Sequence, residues 1–374
     1  MMCDSSNLTF REIFLISLLQ VFILCILLMP YIVLTTKESA EFRNNIREKK
    51  NYFSDTGHSY LDISRKHTDE RQKVKRISFL KVQKSGSSTV ACILIRFGIY
   101  NNLSMFLPKQ TFISEKEQKL LLREKRHYDV YMIHTFYNYN FFTHIVYNPN
   151  IIGIIRRPET RLISHAFFSK LSMKYNSLRG LNDQDFINKI VENTKRYRVN
   201  NVMGRFFGLQ DTTISEKALQ DKLLKLNAEF KLVLILEMLD ESLIILKRYF
   251  RWSVFDIIYA AKKTRHHDNV HLNASQIRHL KLTNNIEYAI YKFFYEDLKR
   301  KIQNAGEDLV QEVARFKHIL NQTQTFCNKH GNNGKYFTVK ASDWDDSFTV
   351  SKRDCRIIFE EDVRQLKKGR YTYL

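Results

Sequence analysis

Proline and glycine are scarce in this chain, at four and eleven of 374 residues. That excludes a collagen-like or Pro/Gly-rich low-complexity protein. No G-x-x-x-x-G-K-[ST] loop occurs, so the usual signature of a nucleoside-triphosphate-binding loop is missing. No H-E-x-x-H or comparable metal-ligand cluster is present, and no metal is expected. RNP, zinc-finger and basic-zipper signatures are absent too, which argues against a nucleic-acid partner. Acidic residues are outnumbered, 39 against 60 Lys and Arg, giving a formal net charge of +21. Such a balance suits an anionic partner without choosing among them. Long apolar runs are rare as well: there is one.

That run is Ile13 to Leu34, "IFLISLLQVFILCILLMPYIVL", and it carries no charge. It is long enough to span a hydrocarbon core of about 30 Å. No small-residue cleavage site follows it, so it reads as an uncleaved signal anchor behind a short tail of residues 1–12. The flanking charges do not favour a cytoplasmic N-terminus. Residues 35–75 are polar and densely charged, a stem leading to one folded domain over 76–374. Three sequons lie beyond the run, at Asn102, Asn273 and Asn321. They are usable only in the secretory lumen. There Cys327 and Cys355 can pair, while Cys92 reads as a core thiol.

Aromatic content is high, with 19 Tyr and 27 Phe, enough for a sizeable core. Strands are expected at Ile77–Val82, Asp129–Phe136, Ile151–Pro158 and Lys231–Leu236, with helices between them. The first helix begins near Thr89 and ends at Gly98. Another opens at Pro158 and runs through Lys170. Asp240 caps the helix after the fourth strand. Residues 284–325 are mostly helical. This alternation predicts an α/β fold, a parallel sheet flanked by helices. Ligands of such sheets bind at the carboxyl ends of strands. Three candidate segments end there: the loop after Val82, the His134 region and the Arg156 region.

The loop "QKSGSST", Gln83 to Thr89, has the chemistry of an anion cradle. Lys84 brings a compact charge, and Gly86 allows close backbone approach. Ser85, Ser87, Ser88 and Thr89 bring hydroxyls, and the helix start adds N–H groups and a favourable dipole. The stretch "FLKVQKSGSST" resembles the 5′-phosphosulfate loop of Golgi carbohydrate sulfotransferases, F-L-K-T-H-K-T-A/G-S-S-T. Lys81, Lys84, Ser87, Ser88 and Thr89 match, and Gln83 stands in place of a histidine. "IIGIIRRPETRLISHAFF" resembles that family's 3′-phosphate motif, with Arg156, Pro158 and Ser164 matching and Arg157 replacing an aspartate. "FKLVLILEMLDESLIILKRYFRWSVFDIIY", from Phe230 to Tyr259, resembles the galactose 3-O-sulfotransferases, including the galactosylceramide type. Glu237, Asp240, Glu241, Ser242, Leu243, Lys247, Trp252 and Asp256 match, mostly as scaffold.

The resemblance implies a P-loop-like sulfotransferase fold. It also implies 3′-phosphoadenosine 5′-phosphosulfate as donor and a galactose-terminated glycolipid or glycan as acceptor. The implied setting is the Golgi membrane, single-pass type II, with a luminal domain. Lys84 and the loop would hold the phosphosulfate, and Arg156 and Ser164 the 3′-phosphate. The attacking hydroxyl must lose its proton to a base, and imidazole suits neutral pH. His134 takes the family's place for it between the two phosphate motifs; His165 and His144 are rivals. A second expectation is an inactive sulfotransferase fold that binds nucleotide or anionic glycan, because Gln83 and Arg157 depart from the pattern.

Overall fold

A computed structural model of the chain describes residues 73–210, 213–260, 270–328 and 336–359, all within Ile63–Leu374. The expected membrane span, Ile13–Leu34, and nearly all of the stem lie outside the described residues. Among the described residues no helix is long and apolar enough to cross a membrane.

The centre is β1, Ile77–Leu80, whose four residues are all buried. It leads through a loop into α1, Ser87–Tyr100. Two short strands follow, β2 (Met105–Phe106) and β3 (Phe112–Ile113), and then β4 (Val130–Tyr131) and β5 (His134–Thr135). Helix α2 (Tyr139–Ile145) leads to β6 (Asn150–Ile155), and α3 (Pro158–Phe168) leaves it. Further on come β7 (Leu232–Ile235) and α4 (Leu239–Phe250). The long α5 (Asn285–Asn328) is bent at Gly306. An antiparallel pair, β8 (Tyr336–Val339) and β9 (Phe348–Ser351), precedes α6 (Lys352–Ile358).

Five strands make the main sheet, in the order β2-β4-β1-β6-β7, all parallel. Isoleucine dominates β6, where Ile151, Ile152, Ile154 and Ile155 are all buried. Each contributes roughly 1.5–3 kcal/mol by leaving water. Such strands are buried on both faces, which is why they read as continuous apolar runs. The chain leaves β1 toward β4 on one side and later returns to β6 on the other. The β1/β6 boundary is therefore the point where strand order reverses, and a crevice opens there at the carboxyl ends.

Three expectations need correction. The strand foreseen over Asp129–Phe136 is two strands in different sheets: β4 joins the main sheet and β5 pairs β3. Met132 and Ile133 between them are buried, so the apolar pattern conceals the break. Gly98 does not end α1, which continues to Tyr100. A Cβ at Gly98 would meet Met105 Sδ at 2.5 Å, so the glycine lets β2 pack close. Asp240 is no N-cap: Met238 holds that position. Asp240 lies in the first turn and accepts a hydrogen bond from Tyr259 Oη at 2.8 Å.

Cys327 and Cys355 form a disulfide with a Cα–Cα distance of 5.4 Å, joining the end of α5 to α6. Cys92 is buried in α1, as expected. One buried ion pair ties α3 to α5. Arg161 Nη2 lies 3.1 Å from Glu287 Oε1, with both side chains almost wholly buried. Glu287 also accepts the Met203 N–H at 2.8 Å, and Arg161 donates to Val199 O at 3.2 Å. Removing one member of such a pair strands a buried charge and costs about 3–5 kcal/mol. We expect Arg161→Ala to lose stability of that order in urea titration, and Arg161→Ala/Glu287→Ala to lose less than the sum of the two single changes.

Candidate active site

The loop after β1 and the turn after β6 meet at the β1/β6 crevice. Parallel pairing sets Leu80 opposite Gly153, so both strands deliver their ends together. Arg156 Nη1 donates to Lys84 O at 3.4 Å, joining the two segments directly. The Lys84 and Gly86 backbones are left-handed, with φ 61° and 75°. A side chain at 86 is doubly excluded: its Cβ would meet Leu236 Cδ1 at 2.5 Å. For Lys84 the same conformation is strained, a feature that collects at ligand sites.

The loop hydroxyls point differently. Ser85 is fully buried and its Oγ has no hydrogen-bond partner among the described residues. Ser87 is buried in the first turn of α1, Thr89 is half-buried, and Ser88 is exposed. Gly86 occupies the N-cap position with no side-chain cap.

Charge at the crevice is one-sided. Burial, and the nearby Arg156 charge, push the Lys84 ammonium pKa down. Lys84 faces no carboxylate within ion-pair distance among the described residues; its Nζ lies 3.9 Å from the centre of the Phe168 ring. Burial also lowers Arg156, although Glu237 works in the opposite direction. Arg156 is aimed by Thr160, whose Oγ1 accepts from its Nε at 3.0 Å. Glu237 accepts the Arg157 N–H at 2.9 Å and a bond from Tyr291 Oη at 3.4 Å. The Arg157 side chain bonds Tyr291, which raises its pKa. Glu237 thus organises this turn through the backbone of Arg157. Ser164 lies half-buried further along α3.

His134 begins β5. Its Nδ1 lies 2.6 Å from Lys81 O. A carbonyl only accepts, so Nδ1 carries the proton and Nε2 keeps its lone pair. Burial, with the Lys81 charge added, holds His134 down at about 4, neutral at physiological pH. His165 is lowered to about 3 by burial and by Arg161, Arg205, Lys84 and Lys174. Its Nε2 lies 3.3 Å from Ser169 Oγ, and its Nδ1 is buried without a partner. His144 lies elsewhere: its Nε2 bonds Glu124 O at 2.9 Å and its carbonyl accepts from His127. These contacts are at the chain entering β4, the amino end of the sheet.

The structure thus gathers Lys84, Ser85, Gly86, Ser87, Thr89 and Arg156 at one crevice, and joins His134 to the same loop through Lys81. Sequence reasoning missed Thr160 and Phe168, and named Glu237 only as a scaffold match. Glu237 follows the end of β7, and a charged residue at a strand's carboxyl end is the signal that could have found it.

A site of this kind, with Lys84 and Arg156 in no ion pair among the described residues at the switch point of a parallel sheet, has the chemistry to suit an anionic ligand. The galactose-3-O-sulfotransferase family profile matches residues 8–342, and the chain belongs to that family. It is 25% identical to human (Homo sapiens) galactosylceramide sulfotransferase over 283 residues, 69% of this chain and 65% of that protein. It is 22% identical to mouse (Mus musculus) galactose-3-O-sulfotransferase 2 over 275 residues, covering 68% and 70%. With human galactose-3-O-sulfotransferase 2 it shares 28% over 205 residues, about half of each chain. The matched region spans a little under two thirds of the human galactosylceramide enzyme.

The two half-buried imidazoles set an acid limit. Below the ordinary histidine value of 6.5 the unfolded chain takes up protons that His134 and His165 refuse until about 4 and 3. Folding stability should be full above pH 6.5 and fall as the pH drops from there toward 4. Urea titrations at pH 7.5 and 5.0 check this, with His134→Gln expected to flatten the difference.

Proposed function

We propose that this chain is a carbohydrate sulfotransferase. It would move a sulfuryl group from 3′-phosphoadenosine 5′-phosphosulfate to a galactosyl hydroxyl, the 3-hydroxyl, of a glycolipid or glycoprotein glycan. One observation carries the reading beyond family membership. Arg156 bonds the Lys84 carbonyl, and the next residue's hydroxyl, Ser85 Oγ, is buried without a partner among the described residues. The Arg156 charge lowers the Lys84 pKa, and a polyanion between them would relieve that repulsion. The residues present fit such a donor: cations, an orphaned hydroxyl and the N–H groups of an uncapped helix.

The donor supplies a sulfuryl group on a good leaving phosphate. Lys84 and the first-turn amides of α1 are placed to bind the leaving oxygen as its charge grows. Arg156, aimed by Thr160, would fork onto the 3′-phosphate, with Ser164 on the following helix. His134 would accept the acceptor hydroxyl's proton at Nε2, its ring fixed by the Nδ1–H bond to Lys81 O. Its low basicity in the free protein reflects burial and the neighbouring cation, and an anionic donor nearby raises it toward neutrality. No step calls on a metal.

We further propose a single-pass type II Golgi membrane protein, anchored by residues 13–34, with its domain in the lumen. Asn102, Asn273 and Asn321 are all exposed. The Cys327–Cys355 bridge suits an oxidising compartment. Peptide N-glycosidase should therefore lower the apparent mass of the protein expressed in secretory cells; an unchanged mass with a cytosol-accessible C-terminus refutes this topology.

A sulfate-transfer assay over galactosylated acceptors, paired with calorimetry on the 3′,5′-bisphosphate product, tests the chemistry. Arg156→Ala should weaken bisphosphate binding by about 1.5–3 kcal/mol. His134→Ala should lower transfer by roughly 10²–10⁴ while bisphosphate affinity is retained. Lys84→Ala should harm both. A wild type that binds bisphosphate but sulfates no galactoside would make the fold an inactive one. Activity surviving in His134→Ala and lost in a folded His165→Ala would move the base to His165.

A further inference from the structure

Phe168 closes α3 at the mouth of the crevice, with 71% of its surface exposed. A lone exposed phenylalanine needs no explanation. This one has a distinctive neighbour: the Lys84 ammonium lies 3.9 Å from its ring centre. The ring therefore stands beside the cation assigned to the leaving phosphate. Such a contact contributes on the order of 0.5–1 kcal/mol at an exposed site. Charge-assisted hydrogen bonds to a phosphosulfate are stronger. When donor binds, Lys84 exchanges the ring for the anion, and an aromatic face is left bare beside the reacting bond.

We propose that Phe168 is the platform for the acceptor sugar, a reading that rests on the sulfotransferase assignment above. Galactose suits it on chemical grounds. Its axial 4-hydroxyl leaves one face of the ring as a patch of C–H groups, and such a patch stacks on a phenyl ring. The 3-hydroxyl at the rim of that patch is then held near Lys84. The sequence of events follows from the geometry: donor first, which draws Lys84 off the ring, and sugar second. Binding of the two is then coupled, and the coupling is reciprocal.

The neighbouring surface offers a competing use. Met173 is 67% exposed, and Lys170 and Lys174 are exposed beside it. Apolar and basic side chains together also suit a lipid surface.

The test measures binding of methyl β-galactoside by calorimetry and saturation-transfer NMR, with and without the 3′,5′-bisphosphate, and sulfate transfer in parallel. Wild type should bind the galactoside more tightly when bisphosphate is present. Phe168→Ala should weaken galactoside binding about tenfold, the order expected for a lost aromatic contact. It should leave bisphosphate affinity within twofold, and Phe168→Tyr should restore sugar binding. Equal galactoside affinity in wild type and Phe168→Ala overturns the platform, as does a wild type that binds no galactoside. Loss of binding to phosphatidylserine-containing vesicles in Phe168→Ala and Met173→Ala, with galactoside affinity retained, assigns the ring to a lipid surface and also overturns it. A wild type that binds galactoside through Phe168 yet transfers no sulfate leaves the platform standing and refutes the sulfotransferase reading.

Discussion

Lys84 and Arg156 are two cations that would separate if the backbone allowed it. Burial lowers both, the Arg156 charge lowers Lys84 further, and Arg161 adds to the lowering of Arg156. They stay together because β1 and β6 pair in parallel, and each strand hands its next loop to the same crevice. The supporting structure serves this arrangement. The left-handed backbone at Lys84 and Gly86 turns the loop, and Leu236 leaves no room for a side chain at 86. Thr160 takes the Arg156 Nε, so one edge of the guanidinium is committed to aim. Glu237 holds the Arg157 amide and partly offsets the charge of Arg156. A single carboxylate at this range moderates the repulsion without neutralising it, which keeps the crevice attractive to an anion.

The same one-sided charge bears on the imidazoles. A general base works best with a pKa near the working pH. His134, at about 4, and His165, at about 3, both lie below that in the free protein. Their difference is in wiring. His134 donates from Nδ1 to a carbonyl, which fixes the tautomer and leaves Nε2 as an acceptor. His165 shares Nε2 with a serine and keeps Nδ1 buried among arginines and lysines. A group so enclosed by cations is poorly placed to become a cation itself. The donor's negative charges would compensate at either ring, but only His134 already has its ring locked by a backbone carbonyl of the anion loop's own strand end.

Much of this was legible in the sequence, for a physical reason. Strands β1, β6 and β7 are buried on both faces, so each appears as an unbroken apolar run ending in polar residues. The anion loop is contiguous, so its lysine, glycine and hydroxyls stand together in the chain as they do in space. What escaped depends on distant partners or on very short elements. Strands β2 and β3 are two residues each, below the length at which alternation is visible. The break at Met132–Ile133 hides because both halves are apolar. Thr160 looks like an ordinary helix residue until Arg156 folds onto it. Phe168 looks like one more apolar position on a helix face until Lys84 is placed over it. Asp240, with helix-cap chemistry but the wrong offset, was claimed instead by Tyr259 from the next segment.

The longest stretch of family resemblance, Phe230 to Tyr259, holds almost none of the crevice chemistry, and its contacts explain why it is nonetheless restrictive. Ser242 Oγ accepts the amide of Ile235 at 3.1 Å, tying α4 back to the end of β7. Lys247, nearly buried, bonds Glu312 and Asp345 at 2.7 Å each. Arg248 reaches Glu312 at 2.6 Å and Asp308 at 2.7 Å. Asp345 accepts the amide of Val254, and Trp344 donates to Asp308. Buried charges of this kind contribute little net stability over an apolar core, yet each is costly to strand. Their contribution is geometric: they tie α4, α5 and the segment before β9 together in this register. That register sets where β7 ends, hence where Leu236 presses on Gly86 and where Glu237 meets Arg157. The sequence signature of the family thus frames the crevice from behind, while the residues proposed to meet the anion follow β1 and β6.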